Sequence, residues 1–433
     1  MDILITILII STVVITTTFL LLFQYKDFFY DLLAKLQKHS FPVKKGHEAD
    51  AVIKKFKRQI KSAENKGDDQ SAQKLTHEYQ SYLNAWEAQY SLRKLPLIDY
   101  KNNPPIINGP DNKKITNIKL LLDYSKKLTE LSLEDWLIRG DAYLVIEENS
   151  LAVKSYEKAL LHDTRNVTAL SSYAISLARS DNLKAALATY EQLLKIEPNQ
   201  PDYYTNKGNV LADLGRQEEA LQSYDQALSL DKTHGNALYN RANLLSDLGR
   251  LSEALSDYNT AVKYIPEFPD LHNDLGNTLS ILGNPEEAIE SYSKAIELRP
   301  SYARAYYNMA LTLTRVGRYA KAVEAFDRSV RLRLDIPEAH YGKGIALSNI
   351  EEPQKALDAF ERAIILKADF SEAYIAKARM HSQLNEYDLA IDQLRNALDI
   401  SSDVLQQIEN IADFSQLRTM EKYGDLVKKY MPD

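Results

Sequence analysis

The sequence predicts an all-α protein: a solenoid of eight helical hairpins, preceded by a membrane-crossing helix and a helical spacer. Three observations carry this expectation. From Leu133 to Val404 the chain matches itself every 34 residues, eight times over, without insertion or deletion. Within each unit, small residues and one large residue recur in fixed phase. Ahead of the repeats, residues 3–23 form an apolar run of 21 residues without a charge.

The apolar run, "ILITILIISTVVITTTFLLLF", is long enough at about 1.5 Å per residue to cross a hydrocarbon core of about 30 Å. A cleaved signal peptide is the rival reading, but no basic residue precedes the run and bulky residues follow it. An uncleaved anchor at 3–23 is therefore expected. No lysine lies before the run, whereas Lys26, Lys35, Lys38, Lys44 and Lys45 lie after it. The positive-inside rule then places the rest of the chain in the cytoplasm, as a single-pass membrane protein. A translocated body is the alternative.

Residues 24–100 read as a helical, partly basic juxtamembrane spacer. Within it, "AVIKKFKRQIK" (51–61) sets Val52, Ile53, Phe56 and Ile60 toward one side and five basic residues around the rest. Such a helix suits either an anionic lipid surface or packing against the next helix at 71–95. Residues 101–132 read as a linker, "KNNPPIINGPD", followed by an N-terminal capping helix.

The eight units span 133–166, 167–200, 201–234, 235–268, 269–302, 303–336, 337–370 and 371–404. Position 8 of each unit is always glycine or alanine, from Gly140 and Ala174 to Gly344 and Ala378. Position 20 is always alanine. Position 24 is Tyr156, Tyr190, Tyr224, Tyr258, Tyr292, Phe326, Phe360 and Leu394. Small residues let two helices approach closely, and the large residue fills the gap beside them. Glycine at position 15 (Gly215, Gly249, Gly283, Gly317) ends the first helix, and proline at position 32 (Pro198, Pro266, Pro300) stops the second. One hairpin cannot bury its own apolar face, so the units stack. Residues 405–433 keep a helical pattern and read as the terminal cap that a stack needs.

This pattern resembles the tetratricopeptide repeat (TPR) family, in phase over all eight units. The resemblance implies a right-handed α-solenoid that binds protein or peptide partners. It also implies that positions 2, 5, 6, 9, 12 and 13 of each first helix line a concave groove. Two families within that resemblance fit poorly. The lysine that clamps chaperone tails at position 5 is absent, since position 5 is Leu137, Ser171, Thr205, Tyr239, Asn273, Tyr307, Tyr341 and Ile375. The repeats are similar to those of O-linked N-acetylglucosamine transferase, but only 29 residues follow Val404, so its catalytic chemistry is not expected here.

Paired asparagines point to the candidate site. They fall at position 6 (Asn206, Asn240, Asn308) and position 9 (Asn209, Asn243, Asn277), with Asn273 and Asp274 beside them. Asparagine is a mediocre helix former, so its recurrence in phase calls for a reason. Positions three apart share a helix face, so stacking makes a ladder of amides. Each amide both donates and accepts, which suits the backbone of an extended peptide. Asp202, Asp213, Asp247 and Asp270 make this stretch acidic, and Arg304 and Arg315 change the sign farther along.

Composition narrows the alternatives. There is no cysteine, which excludes disulfides and thiolate metal sites. Residues 24–132 carry +7 and residues 133–433 carry −13, so nucleic acid is not an expected partner of the repeats. No nucleotide, zinc-protease or hydrolase motif appears. His272 and His340 sit at position 4, a packing position. The expectation is a non-enzymatic, membrane-anchored adaptor without metal, cofactor or small-molecule substrate. The alternative is an accessory, non-catalytic subunit of an envelope assembly, secretion or glycosyltransferase system.

Overall fold

A computed structural model describes residues 131–332 and 336–430, together with the helical residues 57–62, 71, 73–77, 118, 119 and 122. The apolar run 3–23 and the linker 101–111 lie outside the described residues, as does most of the spacer. Among the described residues, no helix is long and apolar enough to cross a membrane. The chain divides into two compact units, Met1–Ser91 with Asn112–Lys127, and Leu92–Asp111 with Leu128–Asp433. The second contains the repeats.

Sixteen helices build the repeats in eight hairpins. They are α1 (Leu133–Val145) and α2 (Asn149–His162); α3 (Val167–Arg179) and α4 (Leu183–Ile196); α5 (Pro201–Asp213) and α6 (Gln217–Leu230); α7 (Gly235–Asp247) and α8 (Leu251–Tyr264). The second half continues with α9 (Pro269–Ile281) and α10 (Pro285–Leu298); α11 (Ala303–Arg315) and α12 (Tyr319–Leu332); α13 (Pro337–Asn349) and α14 (Pro353–Leu366); α15 (Ser371–Gln383) and α16 (Tyr387–Ile400). Proline opens five of them, at Pro201, Pro269, Pro285, Pro337 and Pro353, where its missing N–H costs nothing. At the start of the stack, Ser132 and Asp135 cap α1 reciprocally.

Each first helix packs on its own second helix, and each second helix packs on the next first helix. First helices also meet across units, α5 with α7, α7 with α9 and α9 with α11 among them. The first helices therefore form one wall of the stack. At its C-terminal end, α17 (Leu405–Glu409) and α18 (Glu421–Tyr430), with the buried Phe414 and Leu417, cover the apolar sides of α15 and α16.

Within each hairpin the spacing is set by position 24. A β-carbon placed on Gly208 would lie 2.6 Å from the Tyr224 ring, and one on Gly344 would lie 2.4 Å from Phe360. The ring occupies the space a side chain would need. Alanine at position 20 is wholly buried in all eight units. Position 27 is equally buried, and its one hydroxyl, Ser329, donates to the Ala303 carbonyl at 2.9 Å.

The turn between helices is more uniform than its sequence. Gly215, Gly249, Gly283 and Gly317 have φ between 73° and 85°, as their glycine identity predicts. Glu147, Asp181, Glu351 and Asn385 occupy the same position 15 with φ between 60° and 62°. In each unit the following N–H reaches the carbonyl five residues back, as from Arg216 to Leu211 at 2.9 Å and from Glu352 to Leu347 at 3.1 Å. The left-handed turn is thus imposed by the stack, and four units hold it with residues that disfavour it by about 1 kcal/mol. Glu351→Gly is expected to stabilise unit 7 by about 0.5–1 kcal/mol, and Gly249→Ala to destabilise unit 4 by about 1 kcal/mol. Urea unfolding with amide exchange in α13 and α7 measures both; the same sign at the two positions would contradict this.

Candidate functional site

The position 9 asparagines do more than line a groove. The Tyr224 hydroxyl donates to Asn209 Oδ1 at 2.7 Å, Tyr258 to Asn243 Oδ1 at 2.6 Å, and Tyr292 to Asn277 Oδ1 at 2.9 Å. In unit 1 the acceptor is Asp141, 2.5 Å from the Tyr156 hydroxyl. A buried phenol needs such a partner. Where position 24 is Phe326 or Phe360, position 9 is Leu311 or Ile345. Asn209 is 0% exposed, Asn243 and Asn277 are half-buried, and the amide oxygens of all three accept a hydroxyl from their own hairpin.

Positions 5 and 6 link units 4, 5 and 6 in a polar ladder. The Tyr239 hydroxyl donates to Asp274 Oδ2 at 2.7 Å, and Asn273 Nδ2 donates to Asp274 Oδ1 at 2.9 Å. Asn308 Nδ2 then donates to Asn273 Oδ1 at 3.0 Å. Burial pushes the Asp274 carboxyl above its ordinary range, against the pull of its two donors. Asn273, Asp274 and Asn308 are brought together, and they hold one another. Asn206 and Asn240 are 4% and 5% exposed, and Asn206 Oδ1 is buried without a hydrogen-bond partner.

Position 13 ends each first helix and, from unit 3 onward, forms an exposed row. Asp213, Asp247, Ile281 and Arg315 follow one another at the C-termini of α5, α7, α9 and α11. Arg315 Nη1 is held by the Ser280 carbonyl at 2.9 Å and hydroxyl at 3.1 Å. Asp270, by contrast, is spent on a clamp within unit 5, from the start of its first helix to the end of the unit, accepting from Arg299 at 2.7 Å and Tyr302 at 2.5 Å. His272 is buried with Nε2 2.7 Å from the Pro266 carbonyl, a packing role.

Family models described as TPR repeat and tetratricopeptide repeat match residues 208–249, 242–283 and 278–317, residues 137–201, 307–369 and 341–404, and residues 189–222. Together they cover 137–404 without a gap. The chain belongs to the tetratricopeptide repeat family. As a TPR solenoid it is a protein–protein interaction scaffold with protein or peptide partners. No curated protein matches the sequence. Among solved structures it is similar to YrrB, "a TPR protein with an unusual peptide-binding site", at 26% identity and TM-score 0.41, over 43% of this chain and 97% of that one. It is also similar to MamA from Desulfovibrio magneticus, at 19% identity and TM-score 0.38, over 39% and 96%. A TPR protein from Parabacteroides merdae matches at 20% identity and TM-score 0.41, over 64% and 100%.

One feature of the TPR units escaped the sequence reading. Position 25 of one unit pairs with position 7 of the next: Glu157 with Tyr173 at 3.1 Å, Glu191 with Lys207 at 3.9 Å, Asp225 with Arg241 at 2.5 Å, Asp327 with Lys343 at 2.6 Å, and Glu361 with Lys377 at 2.5 Å. The two seams flanking unit 5 are neutral instead, with Asn259 opposite Leu275 and Ser293 opposite Met309. The opposite signs at a 16-residue offset were the available signal.

In unit 1 the acceptor at position 9 is a carboxyl, where units 3 to 5 have an amide. Burial pushes the Asp141 carboxyl up to about 6, opposed by the Tyr156 hydrogen bond. The folded chain therefore holds this proton more tightly than the unfolded chain, whose carboxyl titrates near its ordinary 3.8. The contribution of Asp141 is present below about pH 4 and is lost as pH rises through 6. Asp141→Asn, which copies units 3 to 5, is expected to stabilise unit 1 at pH 8 by on the order of 2 kcal/mol and to have little effect at pH 4. Thermal unfolding of both chains across that range measures it.

Proposed function

We propose that the chain is a membrane-anchored adaptor that holds an extended segment of a partner protein along the wall of first helices, recruiting or assembling a complex at the cytoplasmic face. The observation that carries peptide capture is the buried, unpartnered Oδ1 of Asn206, next to the nearly buried Asn240 one unit on. A buried acceptor without a donor is costly, and a backbone N–H from a bound strand supplies one regardless of the strand's side chains. Asn209, Asn243 and Asn277 support that wall from beneath, by fixing the rings under it.

The anchoring part of the proposal rests on the uncharged run 3–23 and the lysines that follow it. The acidic repeats argue for a protein or peptide partner over nucleic acid. No motif or cluster suggests a small-molecule substrate or cofactor, and the described residues contain no group of side chains able to hold a metal ion.

Crosslinking in native membranes followed by mass spectrometry identifies the segment captured. With Asn206→Ala and Asn240→Ala together, capture is expected to fall about tenfold while helix content and thermal midpoint stay near those of the parent. Undiminished capture by the double variant would overturn the peptide reading. On sealed cells, external protease is expected to spare the repeats; their digestion would favour the translocated arrangement.

A further inference from the structure

Row 13 of the inner wall changes character along the stack in a way the fold does not require. The other units carry Val145, Arg179, Asn349 and Gln383 there, so neither burial nor charge is needed at this helix end. Yet Ile281 is 65% exposed at the end of α9, followed by Leu282 at 36%. On the adjoining first helix, Leu311 is 39% exposed. Single exposed apolar side chains are ordinary, but Ile281 and Leu282 follow one another in the chain at a helix end, an apolar patch that calls for a partner.

The patch has a signed flank on each side. Asp247 is exposed at the end of α7, one unit before Ile281. Arg315 is exposed at the end of α11, one unit after it, with Nη1 fixed on Ser280 so that the guanidinium is held in place. Consecutive first helices pack at about 10 Å. An extended chain advances about 3.3 Å per residue. Neighbouring rungs of row 13 thus fall about three residues apart along a bound strand.

We propose that this row reads an extended peptide whose side chains run basic, apolar and acidic at intervals of about three residues, meeting Asp247, Ile281 and Arg315 in turn. The inference rests on the peptide-capture reading above and adds the selectivity: the asparagines hold any backbone, and row 13 chooses the side chains. Charge complementarity at both ends and the apolar patch between them name the occupant.

The test uses the purified full chain in detergent and fluorescein-labelled 13-residue peptides of Gly, Ser and Thr carrying Lys-x-x-Ile-x-x-Glu, made in both chain directions. Matched probes replace Lys by Glu, Ile by Asp, or Glu by Lys. Fluorescence anisotropy is expected to show one direction of the parent probe binding about tenfold tighter than each altered probe. Arg315→Glu is expected to reverse the preference at the acidic position in favour of lysine. Ile281→Asp is expected to abolish discrimination between Ile and Asp in the probe. An unchanged order of affinities in Arg315→Glu and Asp247→Lys would overturn the proposal. If all probes bind alike and Asn206→Ala with Asn240→Ala loses them all, peptide capture stands and row-13 selectivity falls. If no probe binds, both fall. Concentration-dependent dimerisation relieved by Ile281→Asp would assign the row to a second copy of this chain and overturn it.

Discussion

The structure depends on one contact repeated along the stack, the side chain at position 24 pressed against the small residue at position 8. At Gly208 and Gly344 the ring stands where a β-carbon would be, so the two helices of a hairpin can approach only if position 8 stays small. The wholly buried alanines at position 20 serve the same approach from the second helix. Each hairpin then presents a flat apolar face to the next, and the second helix of one unit seats the first helix of its neighbour. The uniform left-handed turn at position 15 follows: a spacing set by the side chain at position 24 leaves one geometry for the connection, and Glu147, Asp181, Glu351 and Asn385 adopt it despite their side chains.

Placing tyrosine at that contact creates a second requirement. Its hydroxyl lies in the hairpin core and must find an acceptor, and position 9 provides it in units 1, 3, 4 and 5. This gives the asparagines of position 9 a reason that is internal to the fold. The orphan acceptor of Asn206 and the exposed helix ends of position 13 are groups the core does not use. The wall of first helices is thus divided by depth, with the hairpin bonds below and the exposed row above.

The period, the hairpin boundaries and the identity of the packing positions were legible in the sequence because each is a local rule repeated eight times. Small residues, turn glycines and stop prolines act within a few residues of where they stand. The bonds from position 24 to position 9 were less legible, since they join residues 15 apart and show only when units are compared: tyrosine goes with Asn or Asp, phenylalanine with Leu or Ile. Unit 2, with Ile175 beside Tyr190, breaks that rule and blurs it. Reading asparagine by helix propensity alone suggested a binding role for Asn209, Asn243 and Asn277, and did not show that their oxygens accept the tyrosine hydroxyls of position 24. The ladder through Asn273, Asp274 and Asn308 crosses between units, and the clamp on Asp270 joins the two ends of unit 5, contacts for which spacing along the chain gives no geometry. The charges of row 13 were visible, but the exposure of Ile281 among them was not.

The most direct test of this account converts unit 4 into the form that unit 6 already has. Units 4 and 6 both carry alanine at position 8, with Tyr258 and Asn243 in one and Phe326 and Leu311 in the other. A double-mutant cycle with Tyr258→Phe and Asn243→Leu measures the bond between them. Each single change is predicted to destabilise the solenoid, Asn243→Leu by about 1–3 kcal/mol because it strands a buried hydroxyl, with the double variant recovering at least about 1 kcal/mol of the summed loss. Strictly additive losses would show that the hydroxyl and the amide do not depend on each other, and would contradict the account.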